Sequence, residues 1–297
     1  MTTISDDDVR CVLKWDAIVG ESPLWHSLER RLYWVDIQGK KVHRFDPQSG
    51  RNETFDLPDL VTCVAFRKRG GLMLTLRKNF AFFDPDTGKL EMLAEVETDK
   101  PHTRFNDGRV DPQGRFWAGT MGDPDWKKPV GSLYRFDPDH AVTRVQDDVI
   151  CSNGTAWSPD GRIMYYTESF RYAIFAYDFD SENGSVANRR TFAEVDRSLG
   201  AFPDGLCVDA DGHVWSNQVG IGRVVRYDPA GRIERQIQLP VPRAVGCTFG
   251  GDDLGTLFIT SARETMTPRQ LESAPLSGSI FSVNPGVKGQ AATPFNG

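Results

Sequence analysis

Val42-His43-Arg44-Phe45-Asp46-Pro47 reads as a short strand running into a turn. Apolar and polar residues alternate along it, so one face can be buried while the other stays wet, and the proline cannot continue a sheet ladder. The same phrase returns at Ala81-Phe82-Phe83-Asp84-Pro85, Leu133-Tyr134-Arg135-Phe136-Asp137-Pro138 and Val225-Arg226-Tyr227-Asp228-Pro229. Looser copies stand at Phe175-Ala176-Tyr177-Asp178 and Ile280-Phe281-Ser282-Val283-Asn284-Pro285. A second β-prone run recurs in register, from Leu32-Tyr33-Trp34-Val35 to Leu257-Phe258-Ile259-Thr260. A third precedes it: Pro23 to Trp25, Cys63 to Phe66, Asp107 to Val110, Gly154 to Trp157, Gly205 to Val208 and Gly246 to Phe249.

Six copies in 297 residues give a period of about 50, and a repeat of 40–50 residues holding about four short strands is how β-propellers are written in sequence. The expected fold is therefore all-β, a six-bladed propeller with about four antiparallel strands per blade. A β-sandwich would also use short strands, but it gives no reason for six registered copies. Residues 1–297 are expected to form one propeller domain, with about the first ten residues flexible.

Composition agrees with a packed globular chain. Hydrophobic residues make up 39% and charged residues 26%, enough apolar material for a core. No apolar run approaches the length of a membrane helix, and the acidic start from Met1 to Asp8 carries no secretory signal pattern. The net charge of −6 with scattered basic residues argues against a nucleic-acid partner. Five widely spaced cysteines without a CxxC pair fit a reducing cytoplasm better than a disulfide framework. There is no Gly-x-Ser-x-Gly elbow and no His-Glu-x-x-His, so serine-hydrolase and zincin chemistry lack their first requirement.

If the first strand of each unit is innermost, equivalent positions face a common channel. Four residues before the last apolar residue of each lie Glu21, Thr62, Asn106, Asn153, Asp204 and Val245. Singly, Asp and Asn at strand starts are explained as turn formers. Jointly they put carboxylate and amide oxygens at one end of a channel, where unpaired charge is costly and a cation would relieve it. Two carboxylates plus an amide suit a hard divalent ion such as Ca²⁺, Mg²⁺ or Mn²⁺ and leave positions open for Lewis-acid chemistry.

Gly20-Glu21-Ser22-Pro23-Leu24-Trp25, Arg104-Phe105-Asn106-Asp107-Gly108-Arg109-Val110-Asp111-Pro112, Phe116-Trp117-Ala118-Gly119-Thr120-Met121, Ser152-Asn153-Gly154 and Pro203-Asp204-Gly205 resemble the SMP-30/gluconolactonase/regucalcin-like family over roughly residues 15 to 285. The resemblance implies a six-bladed propeller with one divalent metal near its axis and hydrolysis of sugar lactones. By matched motif it implies Glu21, Asn153 and Asp204 as metal ligands, and Arg104 and Asn106 as residues that hold substrate hydroxyls. Among the ions such a site takes, Zn²⁺ and Fe²⁺ also stay open. Where many relatives carry Glu residues, this chain reads Gly122-Asp123-Pro124-Asp125-Trp126-Lys127-Lys128.

The expected activity is metal-dependent opening of a sugar lactone to its aldonic acid, with Asp204 doubling as a base toward water. Asp123, Lys127 and Lys128 are further candidate substrate contacts. Paired lysines at a channel mouth would favour a lactone with an extra anionic group, whereas a solvated Trp-Lys-Lys-Pro turn would leave neutral lactones as substrates. A paraoxonase-like esterase or phosphotriesterase and a non-catalytic calcium-binding propeller are the rival readings.

Overall fold

A computed structural model describes residues 2–4 and 8–297. Six antiparallel sheets follow one another along the chain, the first four with all their strands in sequence order from the axis outward and the last two completed by N-terminal strands. The innermost strands are Gly20–His26, Val61–Phe66, Thr103–Val110, Ser152–Trp157, Phe202–Val208 and Ala244–Gly250, and each touches the next around a closed ring. The aromatic–Asp–Pro phrases are the third strands: Lys41–Phe45, Asn79–Phe83, Gly131–Phe136, Ala173–Asp180, Arg223–Tyr227 and Ile280–Val283. The protein is a six-bladed β-propeller.

Burial falls from the axis outward. Val61–Phe66 and Ser152–Trp157 are buried at every residue, whereas the outer strands Val142–Val149 and Ser185–Glu194 are mostly exposed. The core lies between blades, where side chains of facing sheets interlock: Val35 and Val42 meet Val64, Phe66 and Leu74 between the first two. A blade exposed on both faces at its inner strands could not form alone, so the ring has to close.

Closure uses both ends of the chain. Arg10–Leu13 pairs antiparallel with Ile280–Val283 and supplies the sixth blade's outer strand. Thr2–Ile4 adds to the fifth blade, parallel to Ile233–Gln238. The expectation of a flexible N-terminal stretch falls partly on residues 1 and 5–7, outside the described residues, while these two segments are strands.

Two blades share a buried anchor. Asp111 and Asp209 end inner strands; their carboxylates accept from the following turn and from the indole Nε1 of Trp117 and Trp215, at 3.0 and 2.9 Å. Arg115 and Arg226 complete them at 2.6 and 2.8 Å. At this end of the channel the chain's C-terminal stretch crosses over. Gln290 Nε2 donates to the carbonyls of Trp157 and Val208, and the backbone of Phe295 bonds that of Phe66 and Lys68. The opposite end, where the inner strands begin, is left as the accessible mouth.

Candidate functional site

Every inner strand is irregular at the same level. The pairing register with the second strand shifts between Glu21 and Leu24, Val61 and Cys63, Phe105 and Gly108, Asn153 and Thr155, Pro203 and Leu206, and Ala244 and Gly246. All six positions picked out by counting, Glu21, Thr62, Asn106, Asn153, Asp204 and Val245, sit at these bulges. A bulge re-aims a side chain out of the pleat, and here the residues at five of the six bulges line one cleft. Small residues next to them let the strands converge: a Cβ on Gly154 would lie 2.5 Å from the Leu206 amide nitrogen, and one on Gly205 2.7 Å from the Val245 carbonyl oxygen.

Glu21, Asn106, Asn153, Asp204 and Val245 line one cleft. Thr62 instead bonds Thr75 at 2.8 Å within its own blade. Asn153 Nδ2 donates to Ser169 Oγ at 2.8 Å, which turns its carbonyl oxygen toward Asn106. Asn106 Nδ2 donates both to that oxygen, at 3.0 Å, and to the Ser152 carbonyl, at 2.7 Å. Arg104 Nη1 donates to Asn106 Oδ1 at 2.7 Å. The guanidinium, the amide of Asn106 and the amide of Asn153 are thus one chain of hydrogen bonds across two blades.

The carboxylates are left short of partners. Among the described residues, Glu21 Oε2 accepts only from the Ser22 amide, at 3.0 Å, and Asp204 Oδ1 is buried with no hydrogen-bond partner. Burial, then the charges of Asp204 and Asp107, push the Glu21 carboxyl well above its usual range. Burial and Asp107 do the same to Asp204, with Arg243 opposing. The donor set fits a divalent cation: two under-partnered carboxylates with an amide oxygen oriented beside them, all hard oxygens. Among the described residues no three His, Cys, Asp or Glu side chains cluster for a metal, so a cation here would take the amide as its third oxygen. Burial also pushes the neighbouring Cys151 thiol up to about 12, which removes it as a nucleophile.

A second ring stands two residues nearer the mouth, on the same strand face: Val19, Leu60, Arg104, Cys151, Phe202 and Arg243. All but Leu60 border the cleft, together with Glu264, Trp126 and Phe170. Sequence reading took Arg104 from this ring and missed Arg243, although counting back two more positions would have reached it. Asp123 lies at the rim as a partner of Arg77, 2.6 Å away. Lys127 is exposed, its ammonium 5.9 Å from the Phe170 ring centre. Lys128 points elsewhere, into an ion pair with Asp125 at 3.1 Å, with both side chains more than half exposed.

Propeller, oxygen-lined cleft and arginine-bearing upper ring together define a β-propeller with a polar site at one end of its channel. The chain belongs to the SMP-30/gluconolactonase/LRE-like family, whose model matches residues 19–263. It is 39% identical to the 6-deoxy-6-sulfogluconolactonase of Pseudomonas putida over 98% of this chain and 100% of that one. It is 41% identical to regucalcin of Danio rerio, over 96% and 97% of the two chains. In structure it is similar to the calcium-binding protein regucalcin of Agrobacterium tumefaciens, with a TM-score of 0.94 at 26% identity, covering 100% and 99% of the chains.

Proposed function

We propose that this chain hydrolyses a sugar lactone to its aldonic acid, assisted by one divalent cation at Glu21, Asn153 and Asp204. The observation that carries the reading is the buried, unpartnered Oδ1 of Asp204 facing the same cleft as Glu21 and the oriented amide of Asn153. A bound divalent cation would supply Lewis acidity beside the lactone carbonyl and balance the two carboxylates.

The protein's own groups do the rest. Arg104, through N–H groups beyond Nη1, and Asn106, through its Oδ1, hold the sugar hydroxyls and fix the ring in one orientation, since both Asn106 amide hydrogens are taken by Ser152 and Asn153. Asp204 accepts a proton from the water that adds to the lactone carbonyl; as the ring C–O bond breaks, Asp204 returns that proton to the ring oxygen, which leaves as a hydroxyl. Trp126, Phe170 and Phe202 wall the cleft with apolar surface and limit competing water. The Pseudomonas putida relative is named for a sulfonated gluconolactone, which supports a substrate carrying an anionic group. Of the three further candidate contacts, Asp123 and Lys127 belong to the rim such a substrate would pass, while Lys128 is turned into its pair with Asp125. The same reading takes the chain as one cytoplasmic domain with five free thiols and a small-molecule substrate.

The test is proton release from a panel of aldonolactones before and after thorough chelation, with aryl esters and phosphotriesters in parallel. Lactone opening that survives complete metal removal defeats the mechanism, and faster cleavage of the esters moves the chain to the paraoxonase-like class. The likeness to regucalcin favours one other reading, a calcium-binding propeller without turnover, for which metal would bind and no lactone would open.

A further inference from the structure

We propose that Arg243 binds an anionic group carried by the substrate, opposite Arg104 across the channel mouth. Arg104 stands two residues before Asn106 on the third blade, and Arg243 two residues before Val245 on the sixth. In a six-bladed ring these blades face each other, so the upper ring holds two guanidinium-bearing positions on opposite sides of one cleft. The other members of that ring, Val19, Leu60, Cys151 and Phe202, carry no charge at neutral pH.

Arg104 is buried and Arg243 half-buried, and neither hydrogen-bonds a carboxylate among the described residues. Arg115 and Arg226 each hold a carboxylate, at 2.6 and 2.8 Å. By contrast, among the described residues the Nε of Arg104 and the Nε of Arg243 are buried without a hydrogen-bond partner; Arg67, Arg135 and Arg235 share that feature but do not line the cleft. A guanidinium has five N–H donors and a high cost for leaving them unmet away from water. Arg104 spends Nη1 on Asn106 and on the Phe105 carbonyl, which ties it to the oxygen ring below. Arg243 acts on Asp204 of the oxygen ring through its charge, but among the described residues it makes no hydrogen bond to that ring. The acid beside it in the cleft, Glu264, accepts from Gln38 Nε2 at 3.1 Å.

Arg243 thus presents a planar fork matched to a carboxylate, sulfonate or phosphate. A lactone whose ring lies over the oxygen ring on the Arg104 side extends its far end toward Arg243. The ligand class is a hexonolactone with an anionic substituent at its terminal carbon. This rests on the lactonase reading for its substrate, but not for its test.

The experiment compares Arg243→Met and Arg243→Lys with the parent, using gluconolactone and its 6-sulfonated analogue, and measures calorimetric affinity for the two ring-opened acids. In Arg243→Met the anionic-to-neutral ratio of kcat/KM falls at least about tenfold, through KM, and the affinity ratio of the two acids falls with it. Arg243→Lys gives a preference between those of Arg243→Met and the parent, because charge survives while the fork is lost. Ratios that stay within twofold in Arg243→Met overturn the proposal, as does an equal loss for both substrate classes. If the parent opens neither lactone, the lactonase reading fails, and the affinity ratio still decides the role of Arg243.

Discussion

Asn106 Nδ2 lies 3.0 Å from Asn153 Oδ1, so an amide on the third blade orients an amide on the fourth. The bond fixes which end of Asn153 faces Glu21 and Asp204, and it assigns different work to two asparagines that look alike in sequence. Asp204→Ala removes a direct oxygen and should abolish both metal uptake and lactone opening. Asn106→Ala leaves the three oxygens in place and removes one of the two bonds that orient the Asn153 amide, the other being to Ser169, so metal binding should weaken by about tenfold at most while kcat/KM falls further. Titration of both variants with Mn²⁺ or Ca²⁺ checks this. Metal loss in Asn106→Ala equal to that in Asp204→Ala would make Asn106 a direct ligand.

Metal removal has a consequence for stability as well. Two buried carboxylates that raise each other's energy cost the metal-free protein folding free energy. Asp204→Asn relieves that repulsion at nearly constant shape. Without metal, the variant should melt higher than the parent; with saturating Ca²⁺ or Mg²⁺, the parent should rise and the variant should not. Thermal melts with and without chelator read both effects. A metal-free variant less stable than the metal-free parent would show that repulsion between Glu21 and Asp204 does not govern the stability of the empty site.

The bulges explain why the oxygen ring was legible in the sequence. Each falls a fixed number of residues before the last apolar residue of an inner strand, so counting found Glu21, Asn106, Asn153 and Asp204 without any geometry. The second and third strands were equally plain, because buried alternation ends at a turn. The outer strands were not. Val142–Val149 is Val-Thr-Arg-Val-Gln-Asp-Asp-Val, exposed over most of its length, and solvent imposes no apolar period on it. The sixth blade hid its outer strand at the other end of the chain, in Arg10–Leu13. Arg243 was missed because no turn or apolar boundary marks it.

The buried anchors carry much of the blade stability. Asp209 accepts from Trp215 Nε1, from Arg226 and from two turn amides, and is fully buried. Asp209→Ala strands an arginine and an indole N–H away from water, so denaturant unfolding should show a loss of about 3–5 kcal/mol. Asp111→Ala should behave likewise on the third blade. Losses under about 1 kcal/mol in both would mean that water replaces the carboxylates freely.

His43 gives a pH dependence independent of the cleft. Its ring stacks on Trp34 at 3.9 Å, and burial, aided by the charge of Lys41, lowers its pKa from 6.5 to about 3. A depressed folded-state pKa means that the neutral ring stabilises the fold fully above 6.5. That contribution is lost as acidification protonates the unfolded chain but not the native one, over the window from 6.5 down to about 3. His43→Gln should flatten the fall in stability across that window by an amount on the order of a few kcal/mol. Unfolding curves at pH 7.5, 5.5 and 4.5 make the comparison. Parallel pH slopes for parent and variant would place the acid sensitivity in other groups.

The two rim lysines should separate by their surroundings. Lys128 is held by Asp125 at 3.1 Å and both are exposed, so its charge is offset locally and screened. Lys127 stands over Phe170, a wall of the cleft, with no carboxylate at ion-pair distance among the described residues. It can attract an anionic lactone over a few ångströms of water without touching it, and such steering weakens once the Debye length shortens. Lys127→Ala should lower kcat/KM for a sulfonated lactone by about two- to threefold at 10 mM salt and leave little difference at 300 mM. Lys128→Ala should change neither value, and an Arg243→Met effect should persist at both salt concentrations because it removes a direct contact. A Lys127→Ala deficit that is the same at low and high salt would instead assign Lys127 a direct hydrogen bond to the substrate.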